Sequence, residues 1–373
     1  MNRRVFLSAG EASGDAYGAA LVRSIRSLAD SPIVFEAVGS ALLRDAQVRI
    51  VRDSGRWGAI GATQALRVLP SALSGLWAAK SRCSQGEPGL LIPIDFGFFN
   101  IRLARHAKKH GWRVLYFVPP GSWRRDRQGA DLPETADEIV TPFSWSAEIL
   151  TRMGASAHWF GHPLKQLVEA DRAGIRSDGV RRGIAVLPGS RRAEIEQNLP
   201  VLSGVLERFE EAATFAVAPS LDLEWVRRRW QRLAPGRGGD RFVQGQARRV
   251  LLEARAGLIC SGTATLEAVL CGLPHVVFYR ISKVTELEAR LIGFRPTFVS
   301  QPNIIMNRQI VPERLQHDAV PDKIEPDLRR LLADGPERQA QLDAFDELRS
   351  MLGGADAIDQ TARLALSMLA SDR

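Results

Sequence analysis

The strongest constraint in this chain is a rhythm that runs twice. Short β-branched and apolar runs alternate with stretches of helical spacing, the pattern of a parallel, doubly wound sheet covered by helices. In the first half the predicted strands are residues 4–8, 33–38, 90–94, 113–118 and 138–141, with a helix from about Asp15. Segment 161–182 breaks the rhythm with Gly161, Pro163, Gly174, Gly179 and mixed charges, and the domain boundary is placed there. The rhythm restarts with strands at 184–187, 214–218, 257–260 and 275–278, and with helices near 223–233 and from about Thr263. Beyond Pro326 only helical spacing remains, ending in an apolar stripe of Ile358, Ala362, Ala365, Leu366 and Leu369. The expected fold is α/β, with two αβα sandwich domains.

Length agrees, because 373 residues divide into two domains at roughly 150 residues each. Apolar residues make up 45 % and charged residues 25 %, which excludes a disordered chain and a polytopic membrane protein. The formal net charge is +8, and six of the 50 cations are lysines. That balance fits nucleic acid, an anionic membrane surface or phosphorylated substrates, and equally an Arg-rich solvated surface. No basic run with interleaved aromatics supports nucleic acid. The cysteines are Cys83, Cys260 and Cys271. Their odd number and the lack of a C-x-x-C pair fit neither zinc nor a disulfide framework, so a reduced cytosol is expected. The apolar stretch after Arg3 and Arg4 ends by Glu11, too short for a signal-peptide core. The longest apolar candidate, 256–279, carries Glu267 and is broken by Gly262, Gly272 and Pro274. The chain is therefore not expected to span a membrane, although it can lie on one.

Four motifs follow predicted strands, where open α/β sheets place their ligand loops. Ala9-Gly10-Glu11-Ala12-Ser13-Gly14-Asp15 follows the first strand. Gly10 and Gly14 permit close backbone approach, and Ser13 and Asp15 suit a helix cap. Pro93-Ile94-Asp95-Phe96-Gly97-Phe98-Phe99-Asn100 delivers a single carboxylate, Asp95, to a strand end. Half buried among Phe side chains, such a group gains a raised pKa and the capacity of a general base; its other reading is a helix cap. Leu187-Pro188-Gly189-Ser190-Arg191-Arg192-Ala193-Glu194 opens a loop with a glycine, a hydroxyl and two guanidiniums, which suit a phosphate or a solvated surface. Ser261-Gly262-Thr263-Ala264-Thr265-Leu266-Glu267 places small residues and hydroxyls at a helix start, an anion cradle or a plain cap. Glu267, one turn in, can accept two hydroxyl hydrogen bonds, as from a ribose. Gln301-Pro302-Asn303 and Val311-Pro312-Glu313-Arg314-Leu315-Gln316 read as polar turns.

Together with Phe160-Gly161-His162-Pro163-Leu164, and in this order, these motifs resemble the lipid-A-disaccharide synthase family of GT-B glycosyltransferases over nearly the whole chain. The resemblance implies two Rossmann-like domains facing a cleft. It implies an N-terminal acceptor-side domain, 1–165, joined by a C-terminal helix of about 355–373 that packs back on it, and a UDP-sugar domain, 166–354. It implies an inverting transfer from UDP-2,3-diacylglucosamine to 2,3-diacylglucosamine 1-phosphate, giving a β-1,6 disaccharide and UDP. Asp95 matches the family's catalytic aspartate, and Arg191 the arginine of its LPGSR motif. Gly10, Ser13, Gly14, Gly189, Ser190, Ser261, Gly262, Thr263, Ala264, Thr265, Glu267, Asn303 and Gln316 fall on substrate- and UDP-side positions. No metal, cofactor or nucleic acid is implied. The expected partners are the two acylated sugars and an anionic membrane surface, on the cytoplasmic side.

The departures lie on the acceptor side. Gly97 and Phe98 stand where the family usually has Pro and a second Asp. Ser122-Trp123-Arg124-Arg125 replaces its aromatic-rich continuation, and Ile60-Gly61-Ala62-Thr63-Gln64-Ala65 lacks its acid at Gln64. Residues 66–77, with Val68, Leu69, Leu73, Leu76 and Trp77, read as an acyl-binding wall, a bilayer contact or core. Two other readings stand beside the first. One is a UDP-GlcNAc 2-epimerase-like isomerase, for which His162 is the attractive histidine. The other is a non-catalytic nucleotide-sugar-binding relative.

Overall fold

The strands form where apolar runs are long enough to be covered on both faces. Leu90–Ile94 is buried at all five positions, as are Ala256–Cys260 and the four residues of Ile184–Leu187. Continuous burial of that kind belongs to parallel sheets with helices on both sides. The computed structural model describes residues 3–55, 57, 62–174, 180–281, 286 and 296–370. Among them are thirteen strands: β1 Arg4–Ala9, β2 Val34–Gly39, β3 Arg49–Asp53, β4 Leu90–Ile94, β5 Arg113–Phe117, β6 Glu138–Val140, β7 Ala157–His158, β8 Ile184–Leu187, β9 Ala213–Val217, β10 Arg241–Gln244, β11 Ala256–Cys260, β12 His275–Tyr279 and β13 Glu313–Leu315.

They assemble into two sheets, each parallel throughout. The first has the order β3-β2-β1-β4-β5-β6-β7 and the second β10-β9-β8-β11-β12-β13. The chain divides into two compact units, Met1–Leu167 with Leu352–Arg373, and Val168–Met351. Both sheets reverse direction of winding at their centre, between β1 and β4 in the first unit and between β8 and β11 in the second. That reversal parts the two strand-end loops and leaves a crevice at the carboxyl edge, where ligands of this architecture bind.

In the first unit, helix α1 (Ala12–Leu28) follows β1, α2 (Ala41–Asp45) follows β2, α3 (Ala62–Cys83) follows β3, and α4 (Gly97–Lys109) follows β4. The C-terminal helix Ala357–Ala370 packs on α1, and Ser24 Oγ donates to Asp359 Oδ1 at 2.7 Å. The core beneath β4 and β5 gathers Phe6, Leu91, Phe99, Trp112 and Tyr116. The second unit's core gathers Val186, Phe215, Trp230, Leu258 and Phe278. The fold is thus the α/β architecture expected, with the last helix on the first domain.

Four strands, β3, β7, β10 and β13, carry no apolar run. β3 and β10 are sheet edges in which exposed polar residues flank a half-buried apolar pair, Ile50-Val51 and Phe242-Val243, too short to read as a strand. The segment expected as an irregular linker contains a helix, Pro163–Ala173. Its Gln166 Oε1 accepts from the Ile358 N–H at 2.7 Å, and its Arg172 donates to the Leu270 carbonyl at 2.9 Å. Gly179, and Ile60 and Gly61 of the acid-lacking segment, lie outside the described residues, as does the Gln64 side chain.

Candidate active site

The first crevice is built by two glycine contacts. A Cβ on Gly10 would stand 2.2 Å from Phe96 Cγ, and one on Gly14 would meet Ala9 Cβ at 3.3 Å. The loop after β1 therefore presses directly against the turn after β4. Ser13 sits half buried in the first turn of α1. The cap expected from Ser13 and Asp15 is not made. Helix α1 starts at Ala12, and Asp15, buried within it, reaches across to the next loop. Its Oδ1 accepts from the Ser40 N–H at 2.6 Å, and its Oδ2 from Ser40 Oγ and the Leu42 N–H at 2.8 Å each. Asp15 thus caps α2, not α1.

Asp95 does not cap α4 either. It occupies a left-handed turn with φ 48°, followed by Phe96 at φ 47°, and Val118 at the neighbouring strand end has φ 53°. Three such residues outside glycine, one of them β-branched, mark stored strain of the kind found at functional sites. Burial pushes the Asp95 carboxyl up to about 6; the Glu11 charge adds to this, and the Phe96 N–H opposes it. Trp57 stacks on Phe96 at 6.0 Å and lies 5.3 Å from Phe99, giving the turn an aromatic floor. Phe98, by contrast, is 53 % exposed, with the Arg102 guanidinium 4.1 Å over its ring.

Two residues that the sequence reading did not single out hold this turn. Asn100 is fully buried and donates to the Asp95, Ile94 and Ser8 carbonyls at 2.8, 3.1 and 3.1 Å, while its Oδ1 accepts from Ser8 Oγ at 2.5 Å. Tyr116 donates to the Asp95 carbonyl at 2.9 Å. Asn100 closes the quoted motif, but its spacing alone reveals no role. Tyr116 is distant in sequence and is brought in by the β4–β5 pairing.

In the second unit, Gly189 has φ 121°, and a Cβ there would meet Glu194 at 2.7 Å. The N–H groups of Ser190 and Arg191, expected to face an anion, donate to Glu194 Oε2 at 2.8 and 3.2 Å. The Arg191 guanidinium donates to Glu194 Oε1 at 2.7 Å. The protein's own carboxylate therefore fills the anion position at this helix start. Glu194 stood in the motif as quoted, yet only the three-residue return of the helix shows what it does.

Across the crevice, Gly262 has φ 146°, and a Cβ there meets nothing within 4 Å. Open space above a glycine is where a ligand approaches backbone closely. Thr263 and Ala264 begin the helix Thr263–Leu270, half buried beside that space. The neighbouring hydroxyl protons are already used, because Ser261 Oγ donates to the Val299 carbonyl at 3.1 Å and Thr265 Oγ1 to that of Gly262 at 2.7 Å. Glu267 pairs with Arg248 at 3.1 Å, and Arg248 with Asp171. Burial raises the Glu267 pKa against the pull of Arg248.

Asn303 does not face a ligand. It is fully buried and donates to the Val311 carbonyl and Glu313 Oε1 at 2.9 and 2.8 Å. Its Oδ1 accepts from the Ile310 and Val311 N–H groups. Glu313, the acid of the VPERLQ turn, also accepts from Val299 and Ser300. The paired motifs form a brace. Gln316, at φ 49°, accepts from the Ile281 N–H at 2.9 Å, and its buried Nε2 meets no acceptor among the described residues. His162 is likewise internal. Burial drives its pKa down to about 3, and its Nδ1 accepts from the Leu164 N–H at 3.2 Å.

The family model described as lipid-A-disaccharide synthetase matches residues 5–362. The chain belongs to the lipid-A-disaccharide synthase family. A lipid-A-disaccharide synthase of Myxococcus xanthus strain DK1622 is 31 % identical over 99 % of this chain and 98 % of its own. One from Acidobacterium capsulatum is 32 % identical over 98 % and 96 %. Among solved structures, the Methanocaldococcus jannaschii UDP-GlcNAc 2-epimerase in complex with UDP-GlcNAc and UDP superposes with TM-score 0.61. It is 10 % identical and covers 98 % of this chain and all of its own. Acinetobacter baumannii MurG superposes with TM-score 0.55 at 13 % identity over 98 % and 100 %. Such low identities establish a shared fold only. Family membership makes the chain a glycosyltransferase of lipid A biosynthesis.

Proposed function

We propose that this synthase joins UDP-2,3-diacylglucosamine to 2,3-diacylglucosamine 1-phosphate with inversion, giving the β-1,6 disaccharide and UDP. The observation that carries the reading is Asp95, a half-buried carboxylate held in a strained turn at the centre of a sheet's carboxyl edge, with its pKa raised to about 6. A base of that pKa is ionised at neutral pH yet retains affinity for a proton. The 6-hydroxyl oxygen forms the bond to the anomeric carbon, its proton passes to Asp95, and the bond to the diphosphate oxygen breaks with its electrons leaving on UDP.

The second unit is assigned the donor. Gly262 and Thr263 supply an open helix start, Gln316 a donor that meets no acceptor among the described residues, and Glu267 a carboxylate for ribose hydroxyls. Arg191 and the Ser190 loop serve the diphosphate only by turning away from Glu194, so Glu194 is a competitor that UDP displaces. Acyl chains and an anionic bilayer are assigned to α3. Leu66, Leu73 and Trp77 are 67 %, 48 % and 75 % exposed along one face, while Ala72, Leu76 and Ala79 on the other are buried. No helix among the described residues is long and apolar enough to cross a membrane.

The test is incubation with the two acylated sugars and mass analysis of products. The disaccharide with stoichiometric UDP is expected. Epimerised donor, or UDP binding without turnover, would replace this reading by an isomerase or a binding protein.

A further inference from the structure

Among the described residues the Asp95 carboxyl takes a hydrogen bond from the Phe96 N–H and none from a side chain; the firmer grip is on its backbone. The Asp95 carbonyl accepts from Asn100 Nδ2 at 2.8 Å and Tyr116 Oη at 2.9 Å, and its N–H donates to the Val118 carbonyl at 3.1 Å. Contacts from α4 and from the end of β5 converge on the two peptides that flank Asp95, a residue that would otherwise leave the left-handed region. Both donors are themselves immobilised. Asn100 and Tyr116 are 0 % exposed, and Asn100 is tied to β1 through Ser8. Burial holds the Tyr116 phenol far above its ordinary pKa, so it remains a donor at every working pH.

We propose that Asn100 and Tyr116 are positioning residues, which hold the Asp95 side chain over the crevice by clamping its carbonyl. Neither touches substrate. The inference deepens the reading of Asp95 as the base and rests on it. Released from the clamp, the turn relaxes toward ordinary φ, and the carboxyl moves toward water and away from the acceptor. The titratable group facing it from β1's loop is Glu11, and from β5 it is Tyr116. Greater hydration weakens the burial that raises the Asp95 pKa.

The decisive variant is Tyr116→Phe, which removes one hydroxyl and keeps the ring that fills the core. Asn100→Ala is the second, informative where it folds. Tyr116→Phe is expected to lower kcat by roughly tenfold to a hundredfold. The KM for the UDP-sugar is expected to stay within about twofold, since its loops are in the other unit. The Asp95 titration midpoint, read without substrate as the infrared carboxyl band absent from Asp95→Asn, is expected to fall from about 6 toward the ordinary carboxylate range. The acidic limb of the kcat profile should move with it. An unchanged midpoint and an unchanged kcat would overturn the clamp, and so would a kcat loss with no movement of the acidic limb. Turnover retained in Asp95→Asn would remove Asp95 as the base. The substrate-free midpoint in Tyr116→Phe would still decide whether the clamp holds the carboxyl.

Discussion

At the scale of single residues, this protein places stability against function at Asp95. A carboxyl whose folded pKa is raised to about 6 is ionised in the folded state only at a cost above that pH. The sign is opposite to that of a salt-bridged aspartate. Folding is favoured as pH falls from about 6 toward the unfolded value near 4. Asp95→Asn should therefore raise the melting temperature at pH 7.5, by the equivalent of about 1–3 kcal/mol, with the gain vanishing near pH 4. The same substitution should abolish disaccharide formation while UDP affinity is unchanged, and wild-type kcat should rise with pH through about 6. Calorimetry, turnover and UDP titration on one pair of proteins check all three. Gly10 is constrained just as tightly. Gly10→Ala places a methyl 2.2 Å from Phe96 and should cost roughly 1–3 kcal/mol by overpacking, visible as a lowered denaturation midpoint and reduced kcat. Asp15→Ala removes three bonds at the start of α2 and should cost about 2 kcal/mol.

At the scale of elements, the informative one is α3. From sequence, residues 66–77 fit an acyl wall, a bilayer contact or core. The helix divides by face: Leu76 and Ala79 pack inward as core, and Leu73 and Trp77 face outward. Gly75 adds a reason, since a Cβ there would collide with Trp57 at 2.4 Å, bringing α3 against the aromatic floor of the Asp95 turn. Leu73→Ser with Trp77→Ser should leave the unfolding free energy within about 0.5 kcal/mol, as exposed positions do. It should also lower co-sedimentation with anionic vesicles several-fold; undiminished sedimentation would remove α3 as the contact. Strand ends were legible in the same way, as β-branched runs followed by Gly-containing loops. Edge strands such as β10 were not, because a half-solvated strand carries arginines where a central one carries valines.

For the molecule as a whole, two buried histidines oppose acid stability, against the contrary effect of Asp95. Burial lowers His162 in the first unit to about 3 and His275 in the second to about 4. An imidazole protonates near 6.5 when unfolded, so both favour unfolding progressively as pH falls from about 6.5 through those values. Melting temperatures should drop over that window in the wild type. His275→Phe should flatten the drop in the second unit. The C-terminal helix is the other whole-chain device. It covers α1 from the far end of the sequence, so truncation before Ala357 should uncover the face of α1 that carries Ser24 and make the first unit insoluble. A soluble, cooperative truncation product would show that the first unit is complete without it.

The sequence by itself determined the class of fold, the order of the motifs and the family. Apolar periodicity and strand-end glycines are local, and a run of letters is enough to express them. It also drew attention to Asp95 as a general base or a helix cap, because a lone carboxylate after a buried strand is visible in one dimension. Tertiary structure alone decided how that carboxylate is held, since Tyr116 reaches it only through pairing of β4 with β5. It also separated residues that look alike in a motif. Asn303 and Asp15 use their bonding capacity inside the fold, Glu194 occupies an anion position, and Gln316 keeps a donor that meets no acceptor among the described residues. A polar side chain's role depends on whether its bonds are already made, and those bonds join residues that the sequence keeps apart.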